Sequence, residues 1–198
     1  MSTAPYPPSR PRHRLARRGT DRYGRTMRPL TRFVTDASLD RLARRMRFLG
    51  YDVVTHRGAR LEELFAVAAS EGRTVLTLSN RRPPRGSDVS VLQVPRDDEA
   101  AALRSIAAGH APVSPPWSRC PTCNVALHTR SAFEARGEVP GRVTRTATRF
   151  TWCPACGRWY WTGSHVSRMT AWLEGVLGTP IAPPTPAATG TTEQPDEG

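Results

Sequence analysis

The sequence contains no lysine, and all 29 of its basic residues are arginines. Arginine binds phosphate through a planar guanidinium with paired N–H donors, so this bias is compatible with a nucleic-acid ligand but does not select one. A long apolar run is also missing: no stretch approaches the ~20 residues of a membrane-spanning helix. The first 28 residues lack the apolar segment of a secretory signal. We therefore expect a cytoplasmic protein with no membrane partner.

Charge is unevenly distributed along the chain, whose formal net charge is +12. Residues 1–28 carry eight arginines and one acid, whereas residues 179–198 carry three acids and no basic residue. Residues 29–178 carry 21 arginines and 13 acids, so the central part is basic by itself. The composition of the two ends predicts a disordered Arg-rich arm over 1–30 and a disordered tail over 179–198. The charge of the arm favours contact with nucleic acid over a targeting segment.

Apolar periodicity between these ends predicts strands that alternate with helices. The predicted strands cover 32–35, 51–54, 73–78 and 89–94. The predicted helices cover 37–49, 60–71 and a segment that Asp97 or Asp98 caps and that ends near Gly109. Such alternation predicts parallel βαβ units, and we expect an α/β domain over 31–112. Parallel sheets bind ligands at the carboxyl ends of their strands, and Asp36 directly follows the first strand.

The four cysteines form two CxxC pairs, Cys120 with Cys123 and Cys153 with Cys156, separated by 29 residues. Two disulfides or a redox pair would use the same spacing. Disulfides fit poorly in a chain without an export signal, and a single redox pair would not be duplicated. We predict a structural zinc ribbon that ends in a closing helix, over 117–178. Four thiolate ligands leave the zinc no open position for catalysis.

Aromatic and basic side chains cluster at two places. Around the second CxxC pair lie rings that either stack on unpaired RNA bases or form the core of a small ribbon: Trp152, Trp159, Tyr160, Trp161 and His165. We predict RNA contacts for Trp159 and His165. The first helix carries four arginines that we predict to steer an RNA backbone: Arg41, Arg44, Arg45 and Arg47.

Metal-dependent cleavage of a phosphodiester needs several carboxylates that converge on one or two Mg²⁺ or Mn²⁺ ions. Asp36 is placed best, at the end of the first strand, and Asp40 follows one helical turn later. Glu63 and Asp97 stand near helix starts, where acids are equally ordinary as capping and dipole partners. No spacing among these acids establishes a metal site by itself.

Three segments resemble the Mut-seven C-terminal ribonuclease family in order and spacing, over roughly residues 31–170: FVTDASLDRLARRMRFLGYDVV, RCPTCN and CPACGRWYWTGSH. The resemblance implies a PIN-like parallel sheet with flanking helices, followed by a small zinc ribbon. It also implies metal-dependent RNase activity, zinc on the four cysteines, and Asp36 as the first acidic position of the active site. Arg41, Arg44 and Arg47 fall in the basic helix of the family.

Two departures from the family pattern bear on catalysis. The family's third strand ends in Thr-Arg-Asp, but here Thr77 is followed by Leu78 and Ser79, so one catalytic carboxylate is missing. This sequence also has fewer acids before the second helix than the family usually has. Glu62 or Glu63, together with Asp40, are the available replacements.

The residues support three functions. The first is a ribonuclease in which Asp36 holds Mg²⁺ or Mn²⁺, with Asp40, Glu63 and Asp97 as further catalytic carboxylates. The second is a zinc-ribbon module that binds RNA without cleaving it, which Ser79 favours. The third is a protein-interaction scaffold whose arginines are merely solvated. RNA is the expected partner in the first two.

Overall fold

The computed structural model describes residues 28–58, 60–80 and 82–182. The predicted disordered arm therefore lies outside the described residues except for 28–30, and the predicted tail except for 179–182. Within the latter, Ile181 is buried and its backbone N–H donates to Glu174 at 2.9 Å. In the described part of the chain, no helix is long and apolar enough to cross a membrane.

The central sheet consists of four parallel strands: β1 (Arg32–Asp36), β2 (Asp52–His56), β3 (Thr74–Thr77) and β4 (Val91–Gln93). Their order across the sheet is β2-β1-β3-β4. Three helices alternate with them along the chain: α1 (Asp40–Phe48), α2 (Leu61–Glu71) and α3 (Glu99–Gly109). This arrangement confirms the predicted parallel α/β sheet with flanking helices.

Residues close by in the sequence determine where α1 begins and where it ends. The side chain of Asp36 accepts a hydrogen bond from the N–H of Ser38 at 2.8 Å, which starts a short 3₁₀ turn before α1. Gly50 follows the helix with a φ of +88°. A Cβ at this position would also overlap the carbonyl oxygen of Ser114. Both the left-handed conformation and the close approach of the linker therefore require glycine.

Both faces of the sheet are covered, as is usual for parallel sheets. Phe33 and Leu76 belong to a core formed with α1, α3 and the closing helix, whereas Val34 and Val75 belong to a second core formed with α2. Neighbouring residues of a strand point to opposite faces. The apolar runs of the sequence therefore supply two cores at once.

The remaining elements belong to the cysteine-containing ribbon: β5 (His128–Arg130), α4 (Gly141–Thr146), β6 (Phe150–Trp152), β7 (Trp159–Trp161) and α5 (Ser164–Leu177). The three strands form an antiparallel sheet in the order β5-β6-β7. The closing helix α5 begins at Ser164 and ends at Leu177, within the predicted segment 117–178. Its Leu173 is fully buried in the core shared with α1 and α3, so the chain folds back on the parallel sheet.

Arg47 joins the ribbon to the parallel sheet. It is 2% exposed and donates to the carbonyl groups of Val53 at 2.9 Å and Pro121 at 2.7 Å. A third hydrogen bond of 2.7 Å goes to the hydroxyl of Thr55. The sequence predicts Arg47 as an RNA contact, like the other arginines of its helix. The structure corrects this prediction, because the guanidinium is enclosed and its donors serve the protein itself.

Replacing Arg47 by Met should lower the free energy of unfolding by about 3 kcal/mol or more, because buried acceptors in two segments lose their donors. Urea denaturation followed by circular dichroism measures this change. Arg41→Met is the matched control. It removes the same charge from the same helix, but that side chain is 79% exposed, and its loss should cost less than about 1 kcal/mol. Equal losses in the two variants would contradict the structural role of Arg47.

Candidate functional site

Asp36 ends β1 at the carboxyl edge of the parallel sheet, where such sheets bind ligands. Its Oδ1 accepts hydrogen bonds from the N–H of Ser38, at 2.8 Å, and from the Ser38 hydroxyl. Its Oδ2 accepts none from the residues that the structure describes. The carboxylate thus caps the following turn and keeps one oxygen for a ligand, so the two roles are compatible.

The neighbouring strand places His56 in register with Asp36. His56 Nε2 lies 3.3 Å from Glu63 Oε2, near the start of α2. Gly58 lies against this pair, and a Cβ there would overlap both side-chain atoms. A small cavity of about 50 Å³ separates these segments, lined by Asp36, His56, Gly58, Arg60, Leu61 and Leu64. His56 was not among the predicted site residues, although it ends β2 as Asp36 ends β1.

Asp40 begins α1 and is bound by two neighbours. Its Oδ2 accepts a hydrogen bond from Arg44 Nε at 2.9 Å, and its Oδ1 accepts one from the hydroxyl of Thr55 at 3.3 Å. Burial tends to raise the pKa of Asp40, but the hydrogen bond and the charge of Arg44 outweigh it and lower the pKa. Since Thr55 also accepts a hydrogen bond from Arg47, Asp40 belongs to the network that holds the ribbon.

The fourth predicted acid, Asp97, is exposed just before α3. Asp98 caps that helix instead, by accepting from the N–H of Ala101 at 2.7 Å. Within the described residues, only the four cysteines bring three or more Cys, His, Asp or Glu ligand atoms within 4.8 Å of one another. In this structure, therefore, no single point collects the predicted acids Asp36, Asp40, Glu63 and Asp97.

The four cysteine thiols do converge. Their Sγ atoms all lie within 4.8 Å of one another, and those of Cys120 and Cys156 are 3.9 Å apart. Tetrahedral zinc with Zn–S bonds of about 2.3 Å needs sulfur atoms about 3.8 Å apart. The cysteines can therefore hold a metal such as zinc, as their spacing predicts.

The two CxxC turns have the same backbone geometry. The N–H of Asn124 donates to the carbonyl of Cys120 at 2.9 Å, and the N–H of Gly157 donates to the carbonyl of Cys153 at the same distance. The residue after each pair is left-handed, with a φ of +66° at Asn124 and +70° at Gly157. Asn and Gly are the residues that adopt this conformation most easily. Each half of the cysteine site is thus formed by its own local sequence.

The crowding of the thiols moves their pKa values apart. Burial tends to raise the pKa of Cys120, but hydrogen bonds from the Tyr160 hydroxyl, at 3.2 Å, and from backbone N–H groups lower it to about 7. Burial, a hydrogen bond with Cys156 and the charge of Cys120 raise the pKa of Cys123 to about 12. Crowded thiols that ionise one at a time are stabilised as thiolates by a cation, so this arrangement also fits a metal ion.

A groove of about 990 Å³ lies between α1, the ribbon and the start of α5, and we call it the arginine groove. Among the described residues that line it, none is Asp or Glu and seven are arginines: Arg41, Arg44, Arg45, Arg119, Arg142, Arg149 and Arg158. The same set includes six rings: Phe48, Trp117, Trp159, Tyr160, Trp161 and His165. The groove has the composition of a surface for an anionic, ring-containing polymer.

Five of the six residues predicted to contact RNA line this groove: Arg41, Arg44, Arg45, Trp159 and His165. The other four arginines of the groove belong to the ribbon segment and form what we call the ribbon wall: Arg119, Arg142, Arg149 and Arg158. They were not predicted, because only folding brings them to the same groove as the arginines of α1. Trp159 and Trp161 also pack against the small ribbon core around Phe150. The structure therefore shows the core role of these two rings, and their stacking on unpaired bases stays a prediction.

Together these features define a parallel α/β protein with a four-cysteine metal site and a basic groove. The chain matches the family model of the Mut7-C RNAse domain over residues 31–173, and it belongs to this family. The match spans Asp36, the arginines of α1 and all four cysteines, and it confirms the resemblance seen in the sequence. No curated protein and no solved structure shows significant similarity to the chain.

The purified protein should contain about one zinc ion per chain, measured by atomic absorption after gel filtration. Acidification should release the ion, because each thiol must lose its proton to bind zinc and protons compete as the pH falls. Cys156→Ser should lower zinc retention. Ala155→Ser is the control, since it changes an exposed residue of the same turn and leaves all four thiols in place. Two disulfides in zinc-free protein would refute the assignment.

Proposed function

We propose that the protein is a ribonuclease that hydrolyses RNA phosphodiester bonds at the carboxyl edge of its parallel sheet, with Asp36 as the central acid. The observation that carries the proposal is the match to an RNase family over residues 31–173, which covers this edge and the ribbon in one span. The edge position of Asp36, and its second carboxylate oxygen, support the proposed role. In this proposal the α/β domain is a PIN-like nuclease domain.

The proposed activity depends on Mg²⁺ or Mn²⁺. When bound, such an ion polarises the phosphate and activates water. Asp36 and Glu63 flank His56 at the edge and are the carboxylates proposed to hold it, although they form no closed ligand set in this structure. Asp40 is engaged by Arg44, and Asp97 belongs to a separate segment. The proposed metal dependence therefore rests on Asp36 first.

The proposed activity is weak, because Ser79 occupies the position of a family aspartate after β3. Ser79 is half-buried, and its N–H donates to the hydroxyl of Thr77 at 3.0 Å. A serine hydroxyl can ligate a cation but brings no negative charge. Loss of a single contact of this kind commonly lowers a catalytic rate ~10²-fold or more.

The second candidate function is RNA binding without cleavage. It is favoured by Ser79 and by the separation of the acids, because a hard divalent cation needs several converging oxygen ligands. The arginine groove would serve this function unchanged. Binding would then fall with rising salt and hardly respond to magnesium.

Wild-type protein should cleave a labelled RNA of mixed structure slowly when Mn²⁺ or Mg²⁺ is added, and not at all without either ion. Asp36→Asn should abolish cleavage because it removes the carboxylate at the edge. Ser79→Asp should raise the rate ~10²-fold by restoring the missing charge. Time courses on denaturing gels, with the full zinc-loaded chain, measure each rate.

Asp88→Asn is the matched control for charge, since it removes one carboxylate from an exposed loop and should leave the rate unchanged. The divalent ion is varied by addition to metal-free buffer, because a chelator would also strip the cysteine site. Metal-independent cleavage, or cleavage that survives Asp36→Asn, would refute the proposal. If wild type and Ser79→Asp both bind RNA but neither cleaves it, RNA binding without cleavage replaces hydrolysis as the function.

A further inference from the structure

Two arginines of the arginine groove carry positive charge that no described residue pairs. On the α1 side, Glu99 lies outside the lining and pairs with Arg41 at 3.1 Å and with Arg45 at 2.6 Å. On the ribbon side, Arg142 and Arg158 form no ion pair with any described residue. The ribbon wall can therefore neutralise the phosphates of an anionic chain.

Arg149 adds a half-buried guanidinium to the same wall. Burial lowers the pKa of Arg149, yet a guanidinium stays protonated at neutral pH. A cation that has lost part of its hydration gains from an anionic ligand at the same place. Arg149 is thus a partly desolvated cation on this side of the groove.

Two indoles lie among these charges. Trp159 and Trp161 are two residues apart on β7, so their side chains leave the same face of the strand. Both line the groove, and both pack against the ribbon core. Packing on one side holds each ring in place, while the ring remains half-exposed. Such rings beside arginines are platforms on which unpaired bases stack.

We infer that the arginine groove binds a single-stranded segment of RNA, with its phosphates on the arginines and its unpaired bases on Trp159 and Trp161. A duplex offers phosphates too, but its bases are stacked on one another and closed to the indoles. The inference rests on the proposed function for the identity of the polymer as RNA. It deepens that function by naming the substrate class and the surface that selects it.

The groove also lies close to the proposed catalytic edge. Arg44 lines the groove and binds Asp40 at 2.9 Å, at the start of α1. Asp40 in turn accepts a hydrogen bond from Thr55, the residue before His56 at the edge that Asp36 shares. Hydrogen bonds through Asp40 thus link the α1 side of the groove to the strand that ends at that edge.

Fluorescence anisotropy with the full zinc-loaded chain, in magnesium-free buffer, tests the inference. The probe is a labelled oligoadenylate of about 12 nucleotides. It is compared with a duplex and with an abasic single strand that carry the same number of phosphates. We expect the oligoadenylate to bind at least tenfold more tightly than either. Equal binding of all three would overturn the inference, because phosphates alone would then account for it.

Arg142→Ala and Arg145→Ala form a matched pair of variants. Both residues lie on α4, but of the two only Arg142 lines the groove. Arg142→Ala should weaken oligoadenylate binding several-fold and reduce the slope of log K against log salt concentration by about one. Arg145→Ala should leave both the affinity and this slope unchanged. Equal effects of the two substitutions would overturn the groove as the binding surface. Zinc content and circular dichroism confirm that both variants are folded.

These experiments distinguish a failure of the groove inference from a failure of the proposed hydrolysis. Groove-dependent binding by a protein that cleaves nothing upholds the inference and refutes the proposed hydrolysis. Cleavage that is unaffected by Arg142→Ala, and equally fast on duplex and single strand, upholds the hydrolysis and overturns the inference.

Discussion

A buried guanidinium joins the parallel sheet of this protein to its ribbon. Arg47 lies on α1 between the edge strand β2 and the first cysteine turn, and it donates to carbonyl groups of both. Burying a charge to this extent is unfavourable unless its donors find acceptors. The burial of the Arg47 guanidinium is therefore favourable only when β2, α1 and the ribbon are assembled together. The position of the ribbon, and with it the shape of the arginine groove, depends on this contact.

The acceptors that Arg47 needs are positioned by the cysteine site. Pro121 and Thr122, whose carbonyl oxygens accept from Arg47, lie between the two cysteines of the first pair. A polypeptide unit with a small core needs a metal or a neighbour to hold its shape, and the ribbon core is small: Ala135, Val139 and Phe150. A structural ion on the four cysteines would therefore act beyond the ribbon, because ordering the first turn would also order the contact with β2.

Opposite charges are separated along α1. Asp36 and Asp40 lie at its N-terminal end, whereas its exposed arginines line the groove. The charge that no described residue pairs lies on the ribbon side of the groove, at Arg142 and Arg158, and the carboxylate of Asp36 also stays outside ion pairs among the described residues. Asp40 differs, because Arg44 binds it. In the proposed function, an acidic edge would repel RNA by itself, and the basic groove that Arg44 and Asp40 link to it would offset this repulsion.

Periodicity and local spacing determined the order of strands and helices, the end of α1 at Gly50 and the two cysteine turns, because each depends on residues a few positions apart. They did not separate Arg47 from the other arginines of α1, since the acceptors that bury it lie 6 and 74 residues away. Neither could they establish that the carboxylates stay apart or that arginines of α1 and the ribbon share a groove. Those features arise where distant segments pack together, and only the tertiary structure decides which side chains meet there.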